Sequence, residues 1–387
     1  MTTSRRVALL VETSTEYGRS LLHGIIRYMR RHEEWSVFLE ERDLTSELPA
    51  WLQDWRGDGI ISRVTNQWLL DVVARSSVPL INLTDRTEIA GIPTVTSDQQ
   101  LIGRIGAEHL LDRGFKCFGY CGFAGEAWSQ GRREGFEERL REAQQDWQVY
   151  ESAWLGAQAR KWQDEQRELC SWLNSLPKPC AIMACSDVRA QRLLDACRTC
   201  NLAVPEEIAV IGVDNDKLLC ELCSPPLTSV IPNTEQIGYL GAEQLDRRMH
   251  NQPLESLTTR VPPLGVATRQ STDSVAIDDP EMASAVRYIR EHACQGTSVD
   301  EVLRHVTMSR SALERGFRKY LRRSPQQEIR NVQLKRCQTL LQETDLPMER
   351  IATLCGFQHP EYMHVVFKRF YGITPGQYRR NTLGLTD

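Results

Sequence analysis

The sequence predicts an α/β domain with two lobes, followed by an all-α domain that contains two helix-turn-helix units. Three observations lead to this prediction. Short apolar runs alternate with amphipathic stretches over about the first 270 residues. A pattern of capping, aromatic and basic residues occurs twice in about the last hundred residues. Finally, residues 281–380 contain 17 Lys and Arg against 10 Asp and Glu, whereas residues 1–280 contain 30 against 40.

Seven apolar runs predict the strands of the first domain. Buried runs of this kind, bounded by Gly, Pro or Asp and separated by helical stretches, are typical of parallel sheets covered by helices. At this length we expect two lobes, the second beginning near residues 102–114 and ending near residue 250, with a ligand site at the carboxyl ends of the strands. The predicted strands are Val7–Val11, Val37–Glu40, Gly59–Ser62, Leu80–Leu83, Phe118–Gly122, Ala181–Cys185 and Ile208–Val213.

The second domain repeats a unit of about 50 residues. Phe317-Arg318-Lys319-Tyr320 in the first copy corresponds to Phe367-Lys368-Arg369-Phe370 in the second. Each run is followed by Ser/Thr-Pro-x-Gln, at Ser324–Gln327 and again at Thr374–Gln377. This pattern predicts a helix whose first residue is Pro and whose preceding hydroxyl accepts a backbone hydrogen bond. Each copy therefore leads into a further helix.

Each copy is also expected to contain two helices at a steep angle, joined by a short turn. The two turns are Thr307–Ser309 and Gly356–Pro360. Ser298 and Glu301 predict a capping box at the start of the first copy. The resulting helix-turn-helix units span about 298–319 and 347–370.

The caps and the charge define the domain boundaries. Asp279 and Pro280 are expected to cap and begin the first helix of the basic domain. A cationic face attracts the phosphate backbone of DNA with a strength that falls with salt, although charge alone is equally compatible with a solvated helical surface. We expect the first domain at 1–274, a linker at 275–281 and the DNA-binding domain at 282–387.

The basic domain resembles the AraC-type regulators over residues 282–380. The matching residues are Ile351-Ala352, Cys355-Gly356-Phe357, Tyr362, Phe367-Lys368-Arg369, Tyr371-Gly372, Thr374-Pro375 and Tyr378-Arg379. The resemblance implies that the second helix of each unit enters the major groove. It also implies a connecting helix, at about Gln326–Gln342, that spaces the units by one turn of DNA. The sequence departs from the family at Leu303, where a small Ala is usual, and at Gln333, where Arg is usual.

On the first recognition helix, the predicted inward face contains Ala312, Leu313 and Phe317. The residues on the other face are expected to read bases, because Arg can hold guanine through two hydrogen bonds, Glu can accept one from cytosine, and Ser is less selective. For Glu314 the alternative is an ion pair with Arg310 or Arg318 on the helix surface. The expected base-reading residues are Arg310, Ser311, Glu314 and Arg315.

On the second recognition helix, the predicted buried face contains Tyr362, Met363, Val366 and Phe367, and the outward face contains His359, Glu361, His364 and Val365. His359 is a candidate for DNA contact, but we expect it to cap the helix before Pro360 rather than to read a base. The cations late on the two helices are expected to contact phosphates, which position a protein without specifying sequence. They are Arg318, Lys368 and Arg369.

The first domain resembles the LacI/GalR regulators and the periplasmic sugar-binding proteins. Six short phrases occur in the same order along nearly the whole domain: Asp58–Ile61, Val78–Ile81, Asp98 before His109–Gly114, Arg132–Phe136, Val210–Asn215 and Arg269–Thr272. The resemblance implies a two-lobed periplasmic-binding-protein-like fold with a ligand between the lobes. Carried over position by position, it places Arg132, Asp187 and Asp214 around that ligand.

These residue types suit a sugar. Carboxylates accept hydrogen bonds from hydroxyl groups, Arg donates two, and Asn215 can donate or accept. Tyr17 and Trp128 are candidates to stack on the apolar face of a sugar ring. The structural alternatives are that Asp187 only caps the helix that follows it and that Trp128 belongs to the core.

The chain joins a sugar-binding-protein-like domain to an AraC-type module. In this order of segments it resembles the bacterial xylose-operon activators along its whole length. The resemblance implies D-xylose as the inducer, double-stranded operator DNA as the partner, and a homodimer on paired operator sites. RNA polymerase would be a further partner when the protein activates. We expect the sugar to close the two lobes and thereby to alter the spacing of two chains' DNA modules. Another small sugar is the alternative effector.

The twelve cysteines and the lack of a signal peptide indicate reduced thiols in the cytoplasm. Cys197-x-x-Cys200 and Cys220-x-x-Cys223 match a zinc template. The predicted strand between the two pairs holds them roughly 17 Å or more apart, so we expect no metal and no cofactor. A regulator that senses redox state or metal through its cysteines is a second alternative. We expect no enzyme, because the chain contains no phosphate loop, metal-binding His pair or nucleophile elbow.

Overall fold

The computed structural model describes residues 4–32, 35–43, 45–84, 86, 89–154, 162–273, 277, 279–321 and 323–382. The chain divides into two compact units. One comprises residues 1–200 and 209–273, and the other comprises residues 201–208 and 274–387. The predicted linker at 275–281 lies partly outside the described residues.

The first unit contains twelve described strands. They are β1 (Arg5–Leu10), β2 (Trp35–Leu39), β3 (Gly59–Ser62), β4 (Leu80–Asn82), β5 (Thr94–Ser97), β6 (Cys117–Ala124), β7 (Trp147–Ala153), β8 (Cys180–Ala184), β9 (Ile208–Val213), β10 (Thr228–Ile231), β11 (Thr258–Val261) and β12 (Gly265–Ala267). All seven strands predicted from apolar runs are confirmed to within about two residues at each end. Five were missed because they are short, rich in Thr and Ser, or lie at a sheet edge with alternating exposure.

The strands form two six-stranded sheets. The first has the order β11-β5-β4-β3-β1-β2, and the second has the order β12-β10-β9-β8-β6-β7. The described pairs are parallel except for β10 with β12. The chain passes to the second sheet after β5, returns after β10 and crosses once more between β11 and β12. The predicted α/β class with two lobes is therefore confirmed, and the return lies earlier than the expected residue 250.

Eight helices connect the strands of the first unit in its described part. They are α1 (Glu16–Met29), α2 (Gln67–Ser76), α3 (Gln99–Leu111), α4 (Ala127–Glu142), α5 (Trp162–Ser175), α6 (Asp187–Thr199), α7 (Lys217–Leu222) and α8 (Thr234–Met249). Glycines let two helix pairs approach closely: a Cβ at Gly238 of α8 would lie 2.0 Å from the carbonyl oxygen of Leu21 in α1, and a Cβ at Gly135 of α4 would lie 1.9 Å from that of Gln100 in α3. Helix α8 thus packs with the first sheet.

The second unit is helical. Its described helices are α9 (Pro280–His292), α10 (Val299–His305), α11 (Arg310–Leu321), α12 (Pro325–Glu343), α13 (Met348–Leu354), α14 (Pro360–Tyr371) and α15 (Pro375–Thr382). No described helix is both long enough and apolar enough to cross a membrane.

The predicted caps of the second unit are present. The Asp279 carboxylate accepts from two backbone amides at the start of α9. Capping boxes begin α10 at Ser298 and α12 at Ser324. Thr374 and Gln377 make the same reciprocal pair of hydrogen bonds at the start of α15. Local capping residues therefore define where these helices begin.

The connecting helix α12 joins two small hydrophobic cores. Ile329, in its first half, packs with Leu313 and Phe317 of α11, whereas Leu334, in its second half, packs with Phe367 of α14. Between the two cores, buried Gln333 donates hydrogen bonds to the carbonyl oxygens of Ala293 and Gly356, at 2.9 and 3.2 Å. The neutral amide at this position therefore ties α12 both to the segment that follows α9 and to the turn of the second helix-turn-helix unit.

We predict that Gly135→Ala destabilises the first unit by about 1–3 kcal/mol or more, because the added methyl group overlaps the α3 backbone. Urea unfolding of the full chain measures the effect. Gly376→Ala is the control, since a Cβ at that position of α15 meets nothing within 4 Å. Equal stability of the two variants would contradict the close approach of α3 and α4.

A buried histidine of the first unit is expected to make its stability depend on pH. His109 of α3 is 9% exposed, and its Nε2 lies 2.9 Å from the hydroxyl of Thr272. Burial and, secondarily, the nearby Arg113 cation lower the pKa of His109 to about 3. The pKa in the unfolded chain is about 6.5, so the unfolded state binds more protons between these values. The stability that depends on the neutral ring is present above about pH 6.5 and is lost as the pH falls.

We predict that His109→Gln, which can keep the hydrogen bond to Thr272, reduces the loss of stability between pH 7 and pH 5. Linkage assigns on the order of 2 kcal/mol of that loss to His109. Urea unfolding at the two pH values, with the wild type as reference, measures the difference. Identical pH dependence in both proteins would show that folding does not lower the pKa of His109.

Candidate functional site

A cavity of about 230 Å³ lies at the carboxyl ends of strands from both sheets of the first unit. It is built from the segments that follow β1, β3 and β4 on one side and β6, β7, β8 and β9 on the other. This is where parallel α/β sheets bind ligands. The residues that line it are Glu12, Ser14, Thr15, Glu16, Tyr17, Arg63, Arg86, Trp128, Arg132, Trp154, Ser186, Asp187, Val188, Asp214, Asp216 and Leu219.

A larger cavity of about 690 Å³ lies beside β5 and the starts of α3 and α4. Asp98, one of its charged residues, uses its carboxylate to cap α3, where Oδ1 accepts from the amide of Leu101 at 2.9 Å. The smaller cavity contains the charged and aromatic groups described below, and it is therefore the better candidate for a ligand site.

Glu12 and Arg63 form the charged wall on the first sheet. Glu12 is fully buried, and its Oε1 lies 3.2 Å from Nε of Arg63 and accepts from the hydroxyl of Thr15 at 3.1 Å. The Arg63 guanidinium lies 4.0 Å above the centre of the Tyr17 ring. Glu12 Oε2 is buried and has no hydrogen-bond partner within the described part of the chain. A hydroxyl group in the cavity could donate to that oxygen.

Arg132 is held from several directions. It is 2% exposed, its Nε donates to Gln99 at 2.7 Å, and its Nη1 donates to the carbonyl oxygen of Cys185. Its Nη2 lies 3.3 Å from Oδ1 of Asp214. The guanidinium also lies 5.0 Å from the centre of the Trp128 ring. These contacts fix a buried cation beside the cavity.

Asp187 organises the loop after β9. Its Oδ1 accepts from the hydroxyl of Ser229 at 2.6 Å, and its Oδ2 accepts from the amide of Asp216 at 2.9 Å and from the thiol of Cys220 at 3.4 Å. Burial and the nearby Asp214 carboxylate raise the pKa of Asp187 to about 8. The helix cap is made by Ser186, which accepts from the amide of Arg189, so the capping alternative for Asp187 is wrong.

The loop that Asp187 supports is strained. Asp214 and Asn215 have φ values of 109° and 49°, in the left-handed region that non-glycine residues rarely occupy. Such conformations cost roughly 1–3 kcal/mol each and persist where surrounding contacts enforce them, often at functional sites. In this conformation Oδ1 of Asp214 lies 3.3 Å from Nη2 of Arg132. Asn215 is not among the lining residues, and its Oδ1 accepts from Arg269 at 2.9 Å.

Aromatic rings form the wall of the cavity on the second sheet. Trp128 packs edge-on against Trp154 with 5.5 Å between ring centres, and Trp154 stacks on Phe123 at 5.3 Å. Nε1 of Trp128 donates to Glu126 at 3.1 Å, and the same carboxylate accepts two hydrogen bonds from Arg86. Trp128 is thus 7% exposed and still lines the cavity.

The structure brings five of the six predicted ligand residues to the cavity: Tyr17, Trp128, Arg132, Asp187 and Asp214. Sequence analysis missed Glu12, Arg63, Arg86 and Trp154. Glu12 lies two residues after β1 and Arg63 directly follows β3, so a charged residue near the end of a buried parallel strand was the available signal.

The recognition helices of the second unit place most of the predicted DNA-contacting side chains in solvent. Glu314 and His364 are half-buried. Arg310 lies 3.0 Å from Asp300, so within the described residues it pairs with that carboxylate rather than with Glu314. The exposed candidates are Arg310, Ser311, Arg315, Arg318, His359, Glu361, Lys368 and Arg369.

Two predictions for α14 are wrong. Tyr362, expected to be buried, is 51% exposed, because its ring lies against Arg330 of α12, with 4.9 Å from the ring centre to the guanidinium carbon. His359 occupies the capping position, but its side chain makes no capping hydrogen bond to this described helix. Met363 and Phe367 are buried and Val366 is partly buried, as expected.

The twelve cysteines are free thiols. Burial, first among several causes, raises the pKa of Cys200 to about 12 and that of Cys223 to about 11. A thiol must lose its proton to bind a metal or to act as a nucleophile. Among the described residues, no group of three or more His, Cys, Asp and Glu side chains could hold a metal ion.

Three known domain families match successive parts of the chain. Residues 6–95 match the XylR N-terminal domain, residues 107–272 a periplasmic binding protein-like domain, and residues 302–381 a helix-turn-helix domain. The structure of the cellobiose complex of the regulator CelR aligns with 70% of the chain at 22% identity and a TM-score of 0.56, which supports the fold of the first unit.

Full-length relatives are also found. The xylose operon regulatory protein of Escherichia coli K12 is 31% identical over 98% of this chain and 97% of its own length. The protein of the same name from Haemophilus influenzae is 31% identical over 97% and 98%. A solved structure described as the xylose-binding transcription activator xylR covers 98% of both chains with a TM-score of 0.83 and 30% identity. The chain belongs to the family of the xylose operon regulatory proteins, which are DNA-binding transcription regulators.

Proposed function

We propose that the first unit binds a single monosaccharide, D-xylose, and that the sugar controls how tightly the second unit binds operator DNA. The observation that carries this proposal is the 230 Å³ cavity with its buried carboxylates, guanidinium groups and tryptophan rings. Carboxylates and guanidinium groups match hydroxyl groups that donate and accept, and aromatic rings match the apolar face of the sugar. The full-length likeness to a xylose-binding activator supports D-xylose as the ligand.

The size of the cavity favours one sugar ring. Its volume is about that of eight water molecules in the liquid, and it lies below the roughly 300–1,000 Å³ of pockets that hold drug-sized ligands. Within it, Oε2 of Glu12, which has no hydrogen-bond partner among the described residues, would accept a hydrogen bond from a sugar hydroxyl. Arg132 and Asp214 would bind from the second sheet. We propose binding without turnover.

The regulatory part of the proposal rests on linkage between two binding events. A sugar can change DNA affinity only if it binds more tightly to one conformation of the protein than to another. The two sheets supply opposite walls of the cavity, so closure of the lobes would give the sugar contacts that an open form lacks. The direction of the effect is taken from the relatives, and we propose activation.

Further parts of the proposal rest on the family. We propose a homodimer on paired operator sites that contacts RNA polymerase when it activates. Two helix-turn-helix units per chain and the full-length likeness to a transcription activator support this. A protein with these partners would act in the cytoplasm, where the DNA is.

We predict that Asp214→Asn weakens D-xylose binding by about tenfold or more, because it removes the charge from a hydrogen-bonding carboxylate. Asn tolerates the left-handed backbone at this position, so folding should be preserved. Titration calorimetry with D-xylose, D-ribose and L-arabinose measures affinity and selectivity. Asp195→Asn, a change at a half-buried position of α6 outside the cavity lining, is the matched control.

The same variants test the linkage. D-xylose should change the affinity of the wild type and of Asp195→Asn for an operator duplex, whereas Asp214→Asn should bind the duplex as the sugar-free wild type does and ignore the sugar at the same concentration. No effect of any of the three sugars on the wild type would refute the proposed regulation. If the wild type does not bind D-xylose but binds another of the three sugars, that other sugar is the effector.

We predict different effects for two exposed arginines of α11. Arg315→Ala should relax sequence preference at one position of the duplex, at a cost of about 1–3 kcal/mol for the preferred site. Arg318→Ala should weaken binding to all sequences and lower the salt slope by about one. Selection from a random duplex pool, followed by salt titrations, separates these effects. Arg167→Ala, exposed on α5 of the first unit, is the control, and equal behaviour of the two α11 variants would contradict the assignment.

A further inference from the structure

Three large apolar side chains of the second unit are strongly exposed in its described part, and all three lie on α14. Val365 is 64% exposed, Phe370 58% and Tyr362 51%. Single exposed apolar residues are common on protein surfaces, so exposure alone carries no conclusion. Tyr362 has a structural reason for its place, because its hydroxyl accepts from Arg330 at 3.3 Å. Val365 requires another explanation.

Val365 lies at the centre of the solvent-facing side of α14. At 100° per residue, the buried Met363 and Phe367 point about 160° away from it. The exposed residues Glu361 and Arg369 lie one turn before and after it on its own face. Valine is a poor helix former compared with the long polar residues usual at such positions. Neither packing nor helix propensity therefore accounts for a valine here.

The repeated unit allows Val365 to be compared with the equivalent residue of the first copy. Aligning the buried anchors Phe317 and Phe367 places Val365 in the second unit opposite Arg315 in the first. Both residues are exposed, and each stands two positions before its anchor. The same point on two similar scaffolds thus presents a guanidinium group in one case and two methyl groups in the other.

The chemistry of the major groove distinguishes these two groups. Guanine offers two acceptors that an arginine can hold, whereas thymine alone among the four bases of DNA offers a methyl group. Cations on the same helix, Lys368 and Arg369, are placed to contact phosphates and to hold the helix in the groove. A valine on the same helix, one turn before these cations, would pack its methyl groups against the methyl group of a thymine.

We propose that Val365 is a specificity-determining residue of the second helix-turn-helix unit and selects thymine through its C5-methyl group. The proposal rests on DNA binding by α14 and assigns it a base preference. DNA is the proposed partner because α14 also carries two exposed cations near the valine. A protein that docks on this face is one of the outcomes that would overturn it.

The experiment begins with selection of duplexes from a random pool by the full-length wild type and by Val365→Ala. The wild type should select a sequence with a fixed thymine that Val365→Ala no longer prefers. Replacing that thymine with deoxyuridine removes only the methyl group, and it should weaken wild-type binding about fourfold, the effect of burying one methyl group. Val365→Ala should bind both duplexes equally. Phe370→Ala, on the same helix but about 140° away from Val365, should keep the full preference.

The outcomes separate this proposal from the proposed function. If the wild type selects no common sequence, sequence-specific DNA binding itself is wrong. If the wild type selects a sequence but Val365→Ala selects the same one, or both lose equal affinity with deoxyuridine, the role of Val365 is overturned. If Val365→Ala leaves selection unchanged but lowers transcription activation, the residue contacts a protein instead. Alanine favours helix more than valine does, and circular dichroism should confirm that α14 is retained.

Discussion

The carboxylate of Asp187 is the contact on which the geometry of the cleft depends. It begins α6 after β8, yet its hydrogen bonds reach Ser229 on β10 and the backbone of Asp216 after β9. One side chain thereby joins three neighbouring segments of the second sheet, and it holds the strained backbone at Asp214 in place. Buried carboxylates are stable when their oxygens are satisfied. Burial disfavours the charged form of Asp187 and, with the nearby Asp214, raises its pKa to about 8.

Parallel strands explain why so many charged groups converge at one place. In a parallel sheet every strand ends at the same edge, so residues distant in sequence, such as Glu12, Arg132 and Asp214, meet there. The first sheet contributes Glu12 and Arg63, and the second contributes Arg132 and Asp214. Each wall thus carries a carboxylate beside a guanidinium group. A neutral ligand rich in hydroxyl groups can bind between such walls without leaving an unpaired charge.

The sequence allowed the fold to be predicted where the signal was local. Apolar runs located β1, β3 and β9, and hydroxyl and acidic caps located the starts of α9, α10 and α12. The strands that were not predicted include β10 and β11. Their Thr and Ser residues are also common in loops, so these segments become strands through their tertiary contacts. The residues of the cleft were likewise predicted only where the sequence carries a local signal. Arg132 and Asp214 stand in recognisable phrases, whereas Trp154 gains its role only by stacking on Phe123.

The repeated unit in the second domain shows which positions the fold requires and which positions can differ between the copies. Phe317 and Phe367 are both fully buried, and the capping pairs at Ser324 and Thr374 make the same hydrogen bonds. These positions keep the two units alike because the packing of α12 and α15 requires it. Exposed positions on the same helices are free of that requirement, and there Arg315 and Val365 differ. Since a shared scaffold presents each of them at an equivalent point, the difference between them would let the two units prefer different bases, as proposed for Arg315 and Val365.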